Sequence, residues 1–136
     1  MLRAFAEASC KLSIVDEMRV VRSEAHGKWS ADDARQNLAD IKNLAATFGG
    51  KKWAFMGVLT DMAPVGPEAS KVFSSFHEEF DKINCAAITF VVGGKVAIKA
   101  QTQRHHDISA AADKLVIRHF NDEKSALEWI KSLNVV

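Results

Sequence analysis

Hydrophobic and polar positions follow a short period near the start of the chain and a helical period soon after. Residues 12–15 and 18–23 form two β-type runs with Asp16 and Glu17 between them. They predict an antiparallel hairpin, although Asp-Glu lacks the glycine of the tightest turns. Residues 1–10 carry no clear period and read as a lead-in. Ser30 then opens the plainest helix. Its hydroxyl suits an N-cap, Asp32 and Asp33 lie in the first turn where the helix dipole favours anions, and Gly49-Gly50 closes the segment. Between these signals Ala34, Leu38, Ile41, Leu44, Ala45 and Phe48 recur every three or four residues, which makes one apolar face.

Residues 53–59 (WAFMGVL) are almost continuously apolar, the pattern of a central strand covered on both faces. The run ends at Thr60 and Asp61, and residues 62–66 read as a loop. Pro67 suits the first position of a helix, whose stripe is Ala69, Val72, Phe73, Phe76, Phe80 and Ile83. Residues 86–92 (AAITFVV) read as another buried strand, stopped by Gly93-Gly94. A short helix follows from Lys95 to about Arg104, against the β-branched residues Val96, Ile98 and Thr102. Residues 115–120 read as a last strand, and Asn121 as the cap of a helix that turns Ala126, Leu127, Ile130 and Leu133 inward. The order ββαβαβαβα predicts a single-domain α/β sandwich over residues 1–136, with a mixed, mostly parallel five-stranded sheet flanked by helices.

Composition narrows the function classes. The 136 residues are 48% hydrophobic and 26% charged, enough to build a core without disulfides or metals. Lysine and arginine number 18 against 17 acidic residues, so the concentrated positive charge of a nucleic-acid binder is missing. Cys10 and Cys85 stand in no CxxC or Cys/His spacing and read as free, buried thiols. Ala8-Ser9-Cys10 echoes a lipoprotein cleavage site, but Arg3 and Glu7 interrupt the apolar run that a signal sequence needs. No segment approaches the ~20 apolar residues of a membrane span. The expectation is a cytoplasmic protein of bacterial type, without an integral membrane segment.

Few residues suggest chemistry. His105, His106 and Asp107 are adjacent, but neighbouring side chains point in different directions and no HExxH or HxxxH partner accompanies them. A solvated loop is the simpler reading of that triplet. His26, His77 and His119 are isolated in sequence, with His77 expected on the flank of its helix. There is no GxSxG elbow and no phosphate loop; Gly93-Gly94-Lys95 offers a weak anion setting at most. Trp29, Trp53 and Trp129 read as core. The loop over 60–67 is the best-placed candidate, because it leaves the C-terminal end of a central strand, where open α/β sheets place ligands. Asp61 there is assigned to polar recognition or loop anchoring, and Met62, Ala63, Val65 and Gly66 to contact, with Phe73 and Phe76 behind them. No cofactor and no metal is expected.

The hairpin followed by Gly27-Lys28-Trp29-Ser30, the strand end Leu59-Thr60-Asp61, the helix start Gly66-Pro67-Glu68-Ala69 and the ending from Phe120 to Ile130 together resemble the STAS-like, or SpoIIAA-like, family over residues 10–134. The resemblance implies an α/β sandwich that works by binding rather than catalysis, as a partner of regulatory proteins. In that family a serine after the aspartate carries a phosphoryl switch. Here the position is Met62, which cannot be phosphorylated, so the resemblance implies a domain without that switch. Some members resemble CRAL-TRIO lipid carriers, which would suit the Phe73, Phe76 and Phe80 stripe. Three classes therefore stand: a non-catalytic domain engaging a protein partner or an apolar small molecule, a small enzyme using His105 and His106 with an acid such as Asp61, and a homodimeric module with no small ligand.

Overall fold

The computed structural model describes residues 7–16, 18–107 and 115–136. The first six residues of the expected lead-in and Glu17 of the hairpin turn lie outside the described residues. The elements are β1 (Ser9–Ile14), β2 (Val20–Gly27), α1 (Ala31–Ala45), β3 (Trp53–Met62), α2 (Pro67–Lys82), β4 (Cys85–Val91), α3 (Val96–Asp107), β5 (Val116–Phe120) and α4 (Glu123–Ser132), with a short 3-10 turn (Ala46–Phe48) after α1. This is the expected ββαβαβαβα order. β1 pairs antiparallel with β2, and β2 through β5 run parallel in a single five-stranded sheet whose spatial order is the chain order.

That order places the layers. Parallel crossovers are almost always right-handed, so strands laid down in one direction send every crossover helix to the same face. α1, α2 and α3 accordingly cover one face. Their Ala34, Ile41, Ala45, Phe76, Phe80 and Ile98 pack with Val21, Trp53, Phe55, Ile88 and Phe90 of the sheet. Among the described elements only α4 returns over the other face, where Ala126 and Ile130 meet Val20, Ala54, Met56, Val58, Ala87 and Val91. Winding in one direction also leaves no crevice between oppositely directed crossovers after β3, the place where doubly wound sheets bind ligands.

Local chemistry explains the boundaries. Ser30 caps α1 in a reciprocal box: its hydroxyl accepts from the Asp33 amide while the Asp33 carboxylate accepts from the Ser30 amide. The last helix is capped one residue later than expected. Asp122 accepts from the Ser125 amide, which lowers the Asp122 pKa, while Asn121 Oδ1 accepts from the Gly94 amide. Gly93 holds φ 56° with its absent Cβ position 2.9 Å from Thr60 Cγ2, so a side chain there would meet both backbone strain and a clash.

Three expectations change in the structure. β3 continues through Met62 instead of ending at Thr60 and Asp61, and both Met62 and Ala63 are buried. α3 runs on to Asp107, so His105, His106 and Asp107 form its last turn rather than a solvated loop. His77 is 3% exposed, inside the packed face of α2 and not on its flank.

Candidate functional site

A cavity of about 50 Å³ lies between the sheet and the helices of its α1–α3 face. Its floor is Phe55, Gly57, Ile88 and Phe90; α2 contributes Phe73, Phe76, His77 and Phe80, and α3 contributes Gln101, Thr102 and His105. Gly57 makes the floor possible, because a Cβ there would stand 3.0 Å from the Phe55 ring and 3.1 Å from the Phe90 ring. Trp29 and Asn37 close one side, and beyond them lies an open polar groove lined also by Cys10, Asp33 and Asp40. The Trp29 indole is pinned by a 2.8 Å hydrogen bond to the His26 carbonyl.

A bulge in β3 decides which side chains reach this cavity. Glu24 pairs with Val58 but His26 with Asp61, so three residues of β3 oppose two of β2. Such an extra residue reverses the alternation of faces beyond it. Leu59 and Met62 therefore both pack into the α1–α3 core, with Met62 on the cavity wall. Asp61 turns to the opposite face, beside His26. Without the bulge, Asp61 would point into the apolar cavity.

On that opposite face His26 donates from Nδ1 to Asp61 Oδ2 at 2.9 Å and from Nε2 to Glu24, a bond pattern that only the doubly protonated ring can make. The Asp61 hydrogen bond, followed by that of Glu24, raises the His26 pKa. Glu24 is held low in pKa by Arg22 and then by His26, and Arg22 also bridges to Glu123 at the start of α4. Observed by proton NMR, His26 is expected to titrate above the ordinary histidine value of about 6.5, and Asp61→Asn to bring it down. Because the folded pKa is raised, the clamp's contribution is present below pH 6.5 and is lost as pH rises through the folded value. A His26 midpoint at or below the ordinary value would contradict the clamp.

The α1–α3 face gathers the other histidines. His105 Nε2 lies 2.6 Å from Ser70 Oγ, and its ring stacks on Phe73 with 14° between the planes. His77 and His106 meet Nδ1 to Nδ1 at 2.9 Å, so one ring donates and the other accepts. His119 of β5 contacts the Thr102 hydroxyl and stacks on Phe90. Burial pushes the His77 pKa down to about 3 and that of His105 down to about 4, and it lowers that of His119. Among the described residues no three His, Cys, Asp or Glu side chains converge to hold a metal ion. Asp61 pairs with His26 on the far face of the sheet, so the expected meeting of His105 and His106 with Asp61 does not occur.

The predicted residues divide accordingly. Met62, Phe73 and Phe76 line the cavity. Ala63 donates its amide to the Gly27 carbonyl, Val65 donates its amide to Gln101 Oε1 at 2.9 Å, and Gly66 caps α2, so these three shape the connection. Sequence reasoning missed Gln101 and Thr102 as buried site residues, and it named His105 and His106 but read them as a solvated loop. A signal was present: Ile98, Gln101, Thr102, His105 and His106 recur at helical spacing, a buried stripe written in polar letters. Likewise Phe73, Phe76, His77 and Phe80 fall on one face.

No protein-family model and no curated protein matches the chain. Solved structures do. An uncharacterized protein of the DUF3478 family with a SpoIIAA-like fold, from Shewanella loihica, superposes with TM-score 0.68 at 14% identity, covering 95% of this chain and 98% of that one. An anti-sigma factor antagonist from Mycobacterium paratuberculosis superposes with TM-score 0.61 at 12% identity, covering 92% and 95%. The chain has the SpoIIAA-like, STAS-type α/β fold that its residues resemble. No helix among the described residues is long and apolar enough to cross a membrane.

Proposed function

We propose that this SpoIIAA-like fold serves as a single-domain, non-catalytic binding module, acting in the cytoplasm, that takes a small uncharged apolar molecule between its sheet and α1–α3. The aromatic-lined cavity is the observation that supports the reading. Binding sites for apolar molecules are concave, largely apolar and sparsely polar, and among the described residues no Lys, Arg, Asp or Glu lines the space. Met62, Phe73 and Phe76 supply contact, Ala63, Val65 and Gly66 shape the approach, and Asp61 is held outside for polar recognition. Size limits the guest. An engineered cavity of about 150 Å³ takes up benzene, so 50 Å³ admits a few heavy atoms at most. A dye the size of N-phenyl-1-naphthylamine, or a longer chain of the CRAL-TRIO type, enters only as a covering helix moves away, so its binding reads the opened cavity.

Native mass spectrometry of gently purified protein and titration with the neutral fluorophore N-phenyl-1-naphthylamine test this. Wild type is expected to carry a reproducible small added mass or to enhance the dye. Ala25→Leu, which fills the wall, is expected to weaken dye binding at least about tenfold, the effect of ~1.4 kcal/mol. Equal dye response in a folded Ala25→Leu variant would place the dye elsewhere and sink the reading. The likeness to an anti-sigma factor antagonist favours a second reading, a protein partner at the surface around Asp61. There Asp61→Ala would weaken the complex without affecting the dye, and a dimer mass in the same spectrum would identify the partner as a second copy.

A further inference from the structure

The buried face of α3 is unusual for a core helix. Of its buried residues Ile98, Gln101, Thr102, His105 and His106, only Ile98 is a large hydrophobe. The rest dock through side-chain hydrogen bonds: Gln101 to the Val65 amide, His105 to Ser70, His106 to His77, and Thr102 to His119. A hydrogen bond exchanged with water contributes about 1 kcal/mol, less than the ~1.5–3 kcal/mol of a fully buried aliphatic side chain. α3 is thus fastened by bonds that water can replace, and three of the four involve imidazole.

We propose that α3 is a proton-released lid on the cavity, held shut by the uncharged forms of His77, His105, His106 and His119 and let go when they take up protons. The His77–His106 contact needs one bare Nδ1; with both rings protonated, two N–H groups face each other and the bond is lost. His105 lies buried against Phe73 and half-buried His119 against Phe90, so a charge on His105 would be taken out of water and one on His119 would lose part of its hydration. The charged and titratable neighbours oppose that charge. His105 and His106 of α3 bear on His77 of α2, Arg104 of α3 bears on His105, and Lys99 and His106 of α3 bear on His119 of β5, while β4 presents the Phe90 ring. The depressed pKa values of His77, His105 and His119 agree with this arrangement.

The latch stands on the cluster alone; its role in ligand entry rests on the binding reading above. A histidine that is neutral when the lid is closed and ordinary when it is open favours opening by up to tenfold for each pH unit below about 6.5. Amide hydrogen exchange of the whole chain, corrected for intrinsic rates, reads the opening directly. Between pH 7 and pH 5 the protection of α3 is expected to fall more than about tenfold while that of α1 holds. His77→Phe/His106→Phe, which keeps ring shape without titration, is expected to reduce that fall. His77→Asn/His106→Asn, which keeps a polar group at each Nδ1 position, provides the same test if the first variant does not fold. Unchanged α3 protection at pH 5, an equal loss in α1, or an equal pH response in a folded variant would overturn the lid. N-phenyl-1-naphthylamine should enter faster at pH 5. Equal entry rates with a loosened α3 would overturn the gating and point to the Trp29–Asn37 wall. A loosened α3 with no dye entry at any pH would count against the binding reading and leave the latch standing.

Discussion

Replacing Phe80 with alanine is expected to lower the unfolding free energy by about 3–5 kcal/mol, the range for removing a fully buried aromatic side chain. Phe80 is 1% exposed, and its ring meets Trp53 at 5.3 Å, Phe55 at 4.9 Å and Phe76 at 5.7 Å between centroids. It therefore ties α2 to the sheet, and Trp53 is itself fixed by a 2.8 Å hydrogen bond from its indole to the Ile83 carbonyl at the end of α2. Phe80 also borders the natural cavity, so its loss enlarges a void that already exists instead of opening a separate one. The cost should lie in the upper part of the range if the walls hold, and the variant should then gain affinity for benzene-sized guests. Urea unfolding at pH 7 measures the first effect and dye or benzene titration the second. A loss under about 1 kcal/mol would show that α2 collapses inward, and the aromatic wall would then not be the rigid surface inferred for it.

Acid is expected to weaken the fold strongly and early, between about pH 6.5 and pH 4. The sign follows from the direction of the shifts. His77 and His105 have folded pKa values of about 3 and about 4, both below the ordinary 6.5. Over that interval the unfolded chain binds protons at these two sites that the folded chain refuses, so the contribution of His77 and His105 is complete above about 6.5 and declines as pH falls. Each histidine costs about 1.4 kcal/mol per pH unit, so the two together remove roughly 5 kcal/mol by pH 4.5. That is a large part of the 5–15 kcal/mol typical of a domain. If α3 lets go before the rest of the chain, the loss levels off once the lid is open, and exchange of α3 amides separates from global unfolding. Unfolding curves at pH 7, 6, 5 and 4.5 check this. A flat profile over that range would mean that the histidines gain compensating partners on protonation.

Some of this was legible in the residues. The ββαβαβαβα order, the antiparallel hairpin ahead of parallel strands, the capped α1 and the aromatic face of α2 all follow from periodicity and end signals, because these depend on neighbours within a turn or two. Asn121 against Asp122 as a cap is a one-residue matter that either side chain could satisfy chemically. The site was less legible. Met62 was expected to face a partner as part of a loop, and a single bulge turned it into the cavity wall while sending Asp61 to the other face. The bulge depends on how β3 registers against β2, and no local pattern carries that information.

α3 marks the boundary between the two kinds of information. Hydrophobic periodicity locates a buried face only when that face is apolar, and Gln101, Thr102, His105 and His106 hide theirs behind polar side chains. By itself the sequence determined the order of elements and the fold class, since covalent spacing sets which residues share a helix face or a strand face. The tertiary structure alone decided that His77, the adjacent pair His105 and His106, and His119 share one cluster, that a void remains beneath them, and that Asp61 answers to His26. Each of these depends on groups 29 or more residues apart meeting at hydrogen-bond or ring-stacking distance, and only the packing of α2 and α3 on the sheet brings them there.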